Sequence, residues 1–296
     1  MRISFRAVFW FLVRLVVGSA LVIGGFVVAF QDAFIFVGAG FPDPLKPQDI
    51  RERKPEQIPP HVTPYWIKTA DGETLEAWHY VPEGELRPEF ALLFHGNASQ
   101  VESEYGYQRW FGSLGIQSVS FSYRGYGRST GYPSEAGVYR DVDAVWAFVQ
   151  SNLGVRADNA IAYGVSLGTG PASYFAKTYR PKALILLAAF SSIDQVVSER
   201  RGYSLLKPFL WTHFPVAENI SEFRSCVIAA HGERDEIIRY SHLADIRKAQ
   251  SGNPDFHMIS SPTAMHNDLF DIIRPELKKI LLECLESSLA NSTHAE

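Results

Sequence analysis

The chain has 296 residues, of which 46% are hydrophobic and 20% charged, and its formal net charge is −4. This is an ordinary globular composition, long enough for one domain of about 230–250 residues around a single core. The slight acidity and the lack of a long basic run argue against a nucleic-acid partner held through phosphates. Only two cysteines occur, Cys226 and Cys284. Neither sits in a metal-type spacing, so no metal site is expected. Because both lie in apolar stretches, they are expected as buried thiols rather than as a disulfide.

The first element is a helix. Ala7–Phe30 is a run of 24 residues with one charge, Arg14. At helical rise it reaches about 36 Å, enough for a hydrocarbon core ~30 Å thick, and Arg14 is early enough in the run to snorkel toward the near interface. An uncleaved membrane anchor is favoured over a signal peptide. The uncharged part alone, Leu15–Phe30, has 16 residues, already beyond the usual apolar region of a leader, and Ala29-Phe30-Gln31 is a poor cleavage site. Arg2, Arg6 and Arg14 stand before or early in the span, whereas Lys46 is the first basic residue after it. By the positive-inside bias the N-terminus is expected in the cytoplasm and the body on the periplasmic, lumenal or extracellular side, although Arg51, Arg53 and Lys54 weaken that bias. Residues 1–40 are thus assigned to the anchor. Phe41–Pro60 contains six prolines, Pro42, Pro44, Pro47, Pro55, Pro59 and Pro60. A segment so rich in proline is neither helix interior nor central strand, and residues 41–60 are expected as an extended linker.

The body, residues 61–290 with a tail at 291–296, alternates in period. Tyr65–Thr69 and Thr74–Val81 flank Ala70-Asp71-Gly72-Glu73, and the Asp-Gly pair signals a hairpin. Short continuous apolar runs follow at Phe90–Phe94 and Ile116–Tyr123, as expected of strands covered on both faces. Val138–Gln150 has helical spacing. Strands are then expected at Ile161–Val165, Ala183–Ala189, Cys226–Ala230 and Phe256–Ser260, and helices at Leu167–Thr178, Ser241–Ala249 and Leu269–Leu289. A hairpin followed by strand–helix alternation means a mostly parallel sheet with helices on both faces. Functional residues then gather at the carboxyl ends of the strands.

One of those ends carries Gly164-Val165-Ser166-Leu167-Gly168. A sharp strand-to-helix turn exposes the serine hydroxyl at its tip, the glycines remove Cβ atoms that would collide, and the helix start presents free N–H groups. Because G-x-S-x-G is short enough to arise by chance, the strand–helix context and the partners must carry the reading. A nucleophilic serine needs a base and an orienting acid. Asp235 falls just past the Cys226–Ala230 strand, and His266 just past the Phe256–Ser260 strand. Ser166, Asp235 and His266 therefore come to one sheet edge in the chain order serine, acid, histidine. Asp194 is the alternative acid, and Asp268 is expected as a local structural acid. His231 is expected in a structural turn, whereas His213, His242 and His257 have no partner that the sequence identifies. His95-Gly96-Asn97 follows the Phe90–Phe94 strand, where a second oxyanion donor belongs. The backbone N–H groups of Asn97 and Leu167 are assigned to that role.

Over residues 62–288 the chain resembles the α/β-hydrolase superfamily. Five motifs carry the likeness in order: Phe94-His-Gly-Asn-Ala98, the Ser122–Glu135 stretch with Arg124-Gly125-Tyr126-Gly127, Gly164–Gly168, His231-Gly-Glu-Arg-Asp235 and Met265-His-Asn-Asp268. More narrowly it is similar to a membrane-anchored branch, near the serine aminopeptidases, that includes protein depalmitoylases and lysophospholipid lipases. The resemblance implies an α/β-hydrolase fold with Ser166, Asp235 and His266 catalytic, Asn97 and Leu167 at the oxyanion, and no cofactor. It also implies a lid at about 191–225. That insertion holds Tyr203, Leu205, Leu206, Phe209, Leu210, Trp211 and Phe214, which either cover an acyl site or pack onto the domain. Exposed Arg200 and Arg201 would suit anionic head groups. The Arg124-Gly125 segment is expected either beside the pocket or as pure turn chemistry. Two departures bear on specificity: Ala264-Met265 stands where the family's histidine loop usually has glycine, and Ile238-Arg239 stands where Val-Pro is common. The expected function is hydrolysis of carboxylic esters or thioesters of lipid or acylated substrates. A peptidase or amidase with the same triad, and a non-catalytic membrane-tethered binding protein, are the alternatives. The sequence leaves the oligomeric state open.

Overall fold

The computed structural model describes residues 4–39, 58–200 and 204–292. Most of the expected linker, together with Arg201, Tyr203 and the last four residues of the tail, lies outside the described residues.

Helix α1 spans Phe5–Ala29. Among the described residues it is the one helix long and apolar enough to cross a membrane. Its most apolar window, Val8–Phe26, has a mean hydropathy of 2.0 and is 0% buried within the protein. Length and composition fit a membrane anchor and a signal sequence alike. After a break at Phe30, a short helix α2, Gln31–Ile35, turns back toward the body.

The body opens with β1 (Val62–Lys68) and β2 (Thr74–Tyr80), paired antiparallel in register from Val62↔Tyr80 to Lys68↔Thr74. Their turn needs Gly72 at φ 93°, a conformation that costs residues with a Cβ. Then come β3 (Phe90–Phe94), α3 (Val101–Gly112), β4 (Gln117–Phe121), α4 (Glu135–Leu153) and β5 (Ala160–Val165). Helix α4 starts where the Ser134 side chain accepts the Gly137 N–H and stops at Gly154 in the left-handed region, the usual polar cap and glycine stop. The remainder is α5 (Thr169–Tyr179), β6 (Ala183–Leu187), α6 (Ile193–Glu199), α7 (Val216–Ile220), β7 (Cys226–Gly232), α8 (Ser241–Ala249), β8 (Phe256–Ser261) and α9 (Leu269–Ser292). The elements named from the sequence all appear, with ends moved by a few residues.

Among the described residues eight strands form one sheet in the order β1-β2-β4-β3-β5-β6-β7-β8. The pairs from β4 through β8 are parallel, and β2 runs antiparallel to both of its neighbours, β1 and β4. After β3 the chain steps outward to β4, then crosses back over β3 to lay down β5. The order therefore reverses between β3 and β5, and the loops leaving these two strands part to opposite sides. A crevice opens at such a switch point, at the carboxyl ends of the strands. This is an α/β-hydrolase fold, with its sheet covered on both faces. Strand alternation shows in β3, where Leu92 and Phe94 join the core under α4, α5 and α8 while Ala91 and Leu93 join the core under α3 and α9.

The cysteines differ from expectation. Cys226, at the start of β7, and Cys284, in α9, form a disulfide with Cα atoms 5.9 Å apart. An apolar neighbourhood identifies buried sulfur but not pairing, and here both residues face the same core layer. The bond closes a separation of 58 residues, which chain-entropy arguments value at about 4 kcal/mol. Replacing both cysteines by alanine is expected to lower the unfolding free energy by up to ~4 kcal/mol, read as a fall in the urea midpoint. The pair lies at the amino ends of the strands, away from the crevice.

Candidate active site

Strand β5 ends extended at Val165, and the next residue, Ser166, sits at φ 52°. A residue with a Cβ costs roughly 1–2 kcal/mol there. Packing holds it. A Cβ on Gly164 would stand 2.6 Å from Gly168 O and 2.8 Å from Ala172 Cβ, and one on Gly168 would run into Phe94 O of β3. The two glycines thus let α5 and β3 close on the turn, which leaves the Ser166 side chain at the crevice.

Loops from β7 and β8 meet it. His266 Nε2 is 3.0 Å from Ser166 Oγ, and His266 Nδ1 is 2.8 Å from Asp235 Oδ2. A proton on Nδ1 shared with the carboxylate leaves Nε2 free to accept from the serine. The other oxygen, Asp235 Oδ1, accepts the N–H groups of Ile237 and Ile238 at 2.9 and 2.8 Å. Burial opposes ionisation of Asp235, but hydrogen bonds from His231, His266 and the Ile238 N–H overcome it and hold the carboxyl well below the usual carboxylate range. His231 is fully buried, its Nε2 3.0 Å from Ile238 O and 3.3 Å from Asp235 Oδ2. The alternative acid, Asp194, is engaged elsewhere: its Oδ2 is 2.9 Å from His213 Nδ1. Asp268 accepts the Met265 N–H at 2.7 Å, next to His266. His242 accepts the Ser191 N–H, and His257 pairs with Asp255.

The loop after β3 lies against the Ser166 turn. A Cβ on Gly96 would stand 3.4 Å from Val165 O and 3.7 Å from Ser166 Cβ, so glycine permits the close approach. His95 is buried and stacked on Tyr123, with ring centroids 3.9 Å apart. Its Nε2 accepts the Tyr123 N–H at 3.2 Å, so Nδ1 carries the proton and donates to Gly96 O at 2.8 Å. Burial pushes this imidazole down to about 4, so it stays neutral while pinning the loop.

Asn97 Oδ1 receives three donors, Tyr126 Oη at 2.8 Å, Ala98 N at 3.1 Å and Gly38 N at 3.3 Å. Its Nδ2 donates to Ile35 O at 2.7 Å. Arg124 does not reach the pocket. Its guanidinium is buried between Asp141 and Asp71, at 2.8 Å from an oxygen of each. Arg124-Gly125 is therefore turn chemistry, and the segment touches the site only through Tyr126. Gly125 takes φ 77° with Pro133 packed against it.

Ser166 opens onto two cavities. One, of about 620 Å³, is lined mainly by apolar side chains, among them Leu167, Phe190, Ile193, Val197, Leu210 and Ile238, and it also includes Asn97. The other, about 450 Å³, is lined by His266, Asn267, Tyr107 and Glu104. Burial pushes the Glu104 carboxyl up to about 7, partly offset by the hydrogen bond from Ser99. The insertion at 191–225 divides between the core and the rim of the larger cavity. Phe214 is buried against Phe36 and Tyr139, while Leu210 lines the larger cavity and Phe209 and Trp211 stay 59% and 49% exposed.

The wall that sequence reasoning missed comes from the end of α1 and the segment after it. Val28, Gln31, Phe34, Ile35 and Val37 all line the larger cavity. Gln31 is buried, accepts the Trp211 N–H at 2.9 Å and donates to Phe209 O at 3.0 Å. Asp32 receives the Thr212 hydroxyl at 2.8 Å and the Trp211 indole N–H at 3.2 Å. The one available signal was local: two polar residues, Gln31 and Asp32, directly after an apolar run. Cys226, Cys284, Asp255 and His257 bring metal-capable atoms within 4.8 Å of one another, but the two sulfurs are bonded to each other.

No family model matches the chain. It is 34% identical over 155 residues to the human alpha/beta hydrolase domain-containing protein 17B, a match covering 52% of each chain. It is 36% identical over 155 residues to the human 17C protein, covering 52% of this chain and 46% of the relative. The chain thus spans about half the length of the curated relatives it matches. Among solved structures, an esterase from Pyrococcus furiosus superposes with a TM-score of 0.64 at 17% identity, covering 81% of this chain and 98% of the esterase. An alpha-beta hydrolase from Vibrio vulnificus gives 0.66 at 16% identity, covering 85% and 92%. At such identities the structural likeness speaks for the fold. Sheet order, the serine turn and the superposed structures agree on an α/β-hydrolase fold, and over 155 residues the chain is similar to alpha/beta hydrolase domain-containing proteins.

Proposed function

We propose that the chain is a serine hydrolase that cleaves carboxylic esters or thioesters of apolar acyl groups. The observation that carries this is the hydrogen-bonded series Ser166–His266–Asp235 opening onto the apolar cavity of about 620 Å³. His266 takes the Ser166 proton as Oγ attacks the acyl carbonyl, and Asp235 holds the ring and stabilises the imidazolium. The N–H groups of Asn97 and Leu167 receive the oxyanion, each donor worth about 2.7–4 kcal/mol. His266 then protonates the leaving group, and water, deprotonated by the same nitrogen, releases the acid. The acyl chain lies in the apolar cavity, and the leaving group departs through the cavity that His266 lines. The Pyrococcus furiosus esterase has this fold, which is compatible with an acyl-transfer reading. Helix α1 anchors the chain in a membrane, with the hydrolase body across it from the N-terminus, by the arginine bias of the first residues.

The test is a ladder of p-nitrophenyl esters from acetyl to dodecanoyl, assayed in detergent beside fluorophosphonate labelling. kcat/KM is expected to rise severalfold from acetyl into medium chain lengths. A folded protein that neither labels nor turns over any ester would overturn the proposal.

A further inference from the structure

We propose that the segment Gln31–Gly38 is a working part of the active site: it positions Asn97 and closes one wall of the acyl cavity. This rests on the hydrolase reading above but not on the membrane reading, since cleavage after Ala29 would leave the segment in place.

Three observations carry it. First, the segment is docked on the domain. Phe36 is 1% exposed within the core beneath the insertion, 6.0 Å from the Phe214 ring. Second, it grips the oxyanion loop from outside. Ile35 O and Gly38 N bind the amide of Asn97 on both its ends, and a Cβ on Gly38 would run into Ala98 Cα and stand 2.7 Å from the Tyr126 ring. The backbone of this segment therefore lies directly on residue 98, and Asn97, whose N–H is assigned to the oxyanion, has a side chain shared between the segment and Tyr126. Third, it fastens the insertion. Gln31 and Asp32 hold the backbone or side chains of Phe209, Trp211 and Thr212, which fixes the outer side of the cavity where Leu210 enters. Gln31 and Asp32 are positioning residues, since neither is placed at the reacting atoms.

Oxyanion donors act through placement, and losing one costs on the order of 10²–10³ in kcat. A displacement of the Asn97 loop is accordingly expected to act on kcat. Loosening the insertion is expected to act on the acyl chain, and so on KM for long substrates.

The experiment uses the full-length chain in detergent with p-nitrophenyl acetate and p-nitrophenyl decanoate. Gly38→Ala is expected to lower kcat at least tenfold on both esters and to slow fluorophosphonate labelling in parallel. Asp32→Ala is expected to raise KM for decanoate severalfold and to lower the decanoate-to-acetate ratio of kcat/KM. Arg156→Ala, at an exposed site remote from the segment, serves as the unchanged control. A purely structural role would instead lower the melting temperature of Gly38→Ala in step with its activity and leave the decanoate-to-acetate ratio of Asp32→Ala at the wild-type value. If Gly38→Ala melts early, Asp32→Ala still reads the wall, and Tyr126→Phe reads the Asn97 clamp without removing a ring. Wild-type kinetics in folded Gly38→Ala and Asp32→Ala would overturn this proposal alone. A wild-type protein inert to both esters and to the probe would overturn the hydrolase reading and this one with it.

Discussion

Ser166→Ala is expected to lower kcat on p-nitrophenyl esters by on the order of 10³–10⁶-fold, to abolish fluorophosphonate labelling and to leave the melting temperature within a few degrees of wild type. The size follows from the geometry. Ser166 Oγ stands 3.0 Å from His266 Nε2, and on the proposed reading its loss removes the attacking atom while leaving the cavity and the proposed oxyanion donors in place. Stability is spared because alanine keeps the Cβ and the backbone strain at φ 52° as they are, and among the described residues the serine hydroxyl has no hydrogen-bond partner besides His266. The same logic predicts that Asp235→Asn leaves the fold but costs turnover heavily, since an amide no longer fixes the imidazole proton on Nδ1. Residual labelling of Ser166→Ala would move the nucleophile elsewhere.

Arg124→Ala is expected to destabilise the protein by about 3–5 kcal/mol, read as a lower urea midpoint with an unchanged slope. Arg124 is 5% exposed and Asp141 is fully buried. Asp141 accepts the Arg124 backbone N–H at 2.9 Å and Nε at 2.8 Å, while the guanidinium also reaches both oxygens of Asp71. Removing the cation leaves a carboxylate in the core without its partner, and that uncompensated charge, rather than the lost attraction, sets the cost. Arg124→Leu combined with Asp141→Leu is expected to recover most of the loss. Hydrogen bonds from Arg124 and Thr69 hold the Asp71 carboxyl below the usual carboxylate range. A depressed carboxyl contributes above its unfolded pKa and loses that contribution as pH falls through its folded pKa, so this half of the network weakens only in strong acid.

The sheet was legible because most of its parallel strands are short apolar runs such as Phe90–Phe94 or Ile161–Val165, and the spacing of turn residues separates them. Ser166, Asp235 and His266 could be picked out because Ser166 follows a strand directly and the other two stand in the loops just past strands, and the structure brings the three together. Helix α3 escaped. Its buried side chains include Glu104 and Gln108 beside Val101, Trp110 and Phe111, so no apolar stripe marks its inward face. The disulfide escaped because pairing across 58 residues is a property of the packed core. Arg124 was undecided because its partners stand 17 and 53 residues away. The wall from Gln31 and Ile35 was hidden for the same reason, with partners up to 180 residues distant.

The overlap between α1 and the site has a consequence for how such a chain can be rearranged. A tether that only locates an enzyme is exchangeable, since any apolar helix would serve. Here the helix runs straight into residues that line the larger cavity beside Ser166, with Val28 already facing it. Replacing α1, shortening it, or grafting residues 58–296 onto a soluble carrier alters the cavity wall itself. Residues 27–39 must therefore travel with the hydrolase body in any chimera, although 18 residues or more of intervening chain separate them from it in sequence.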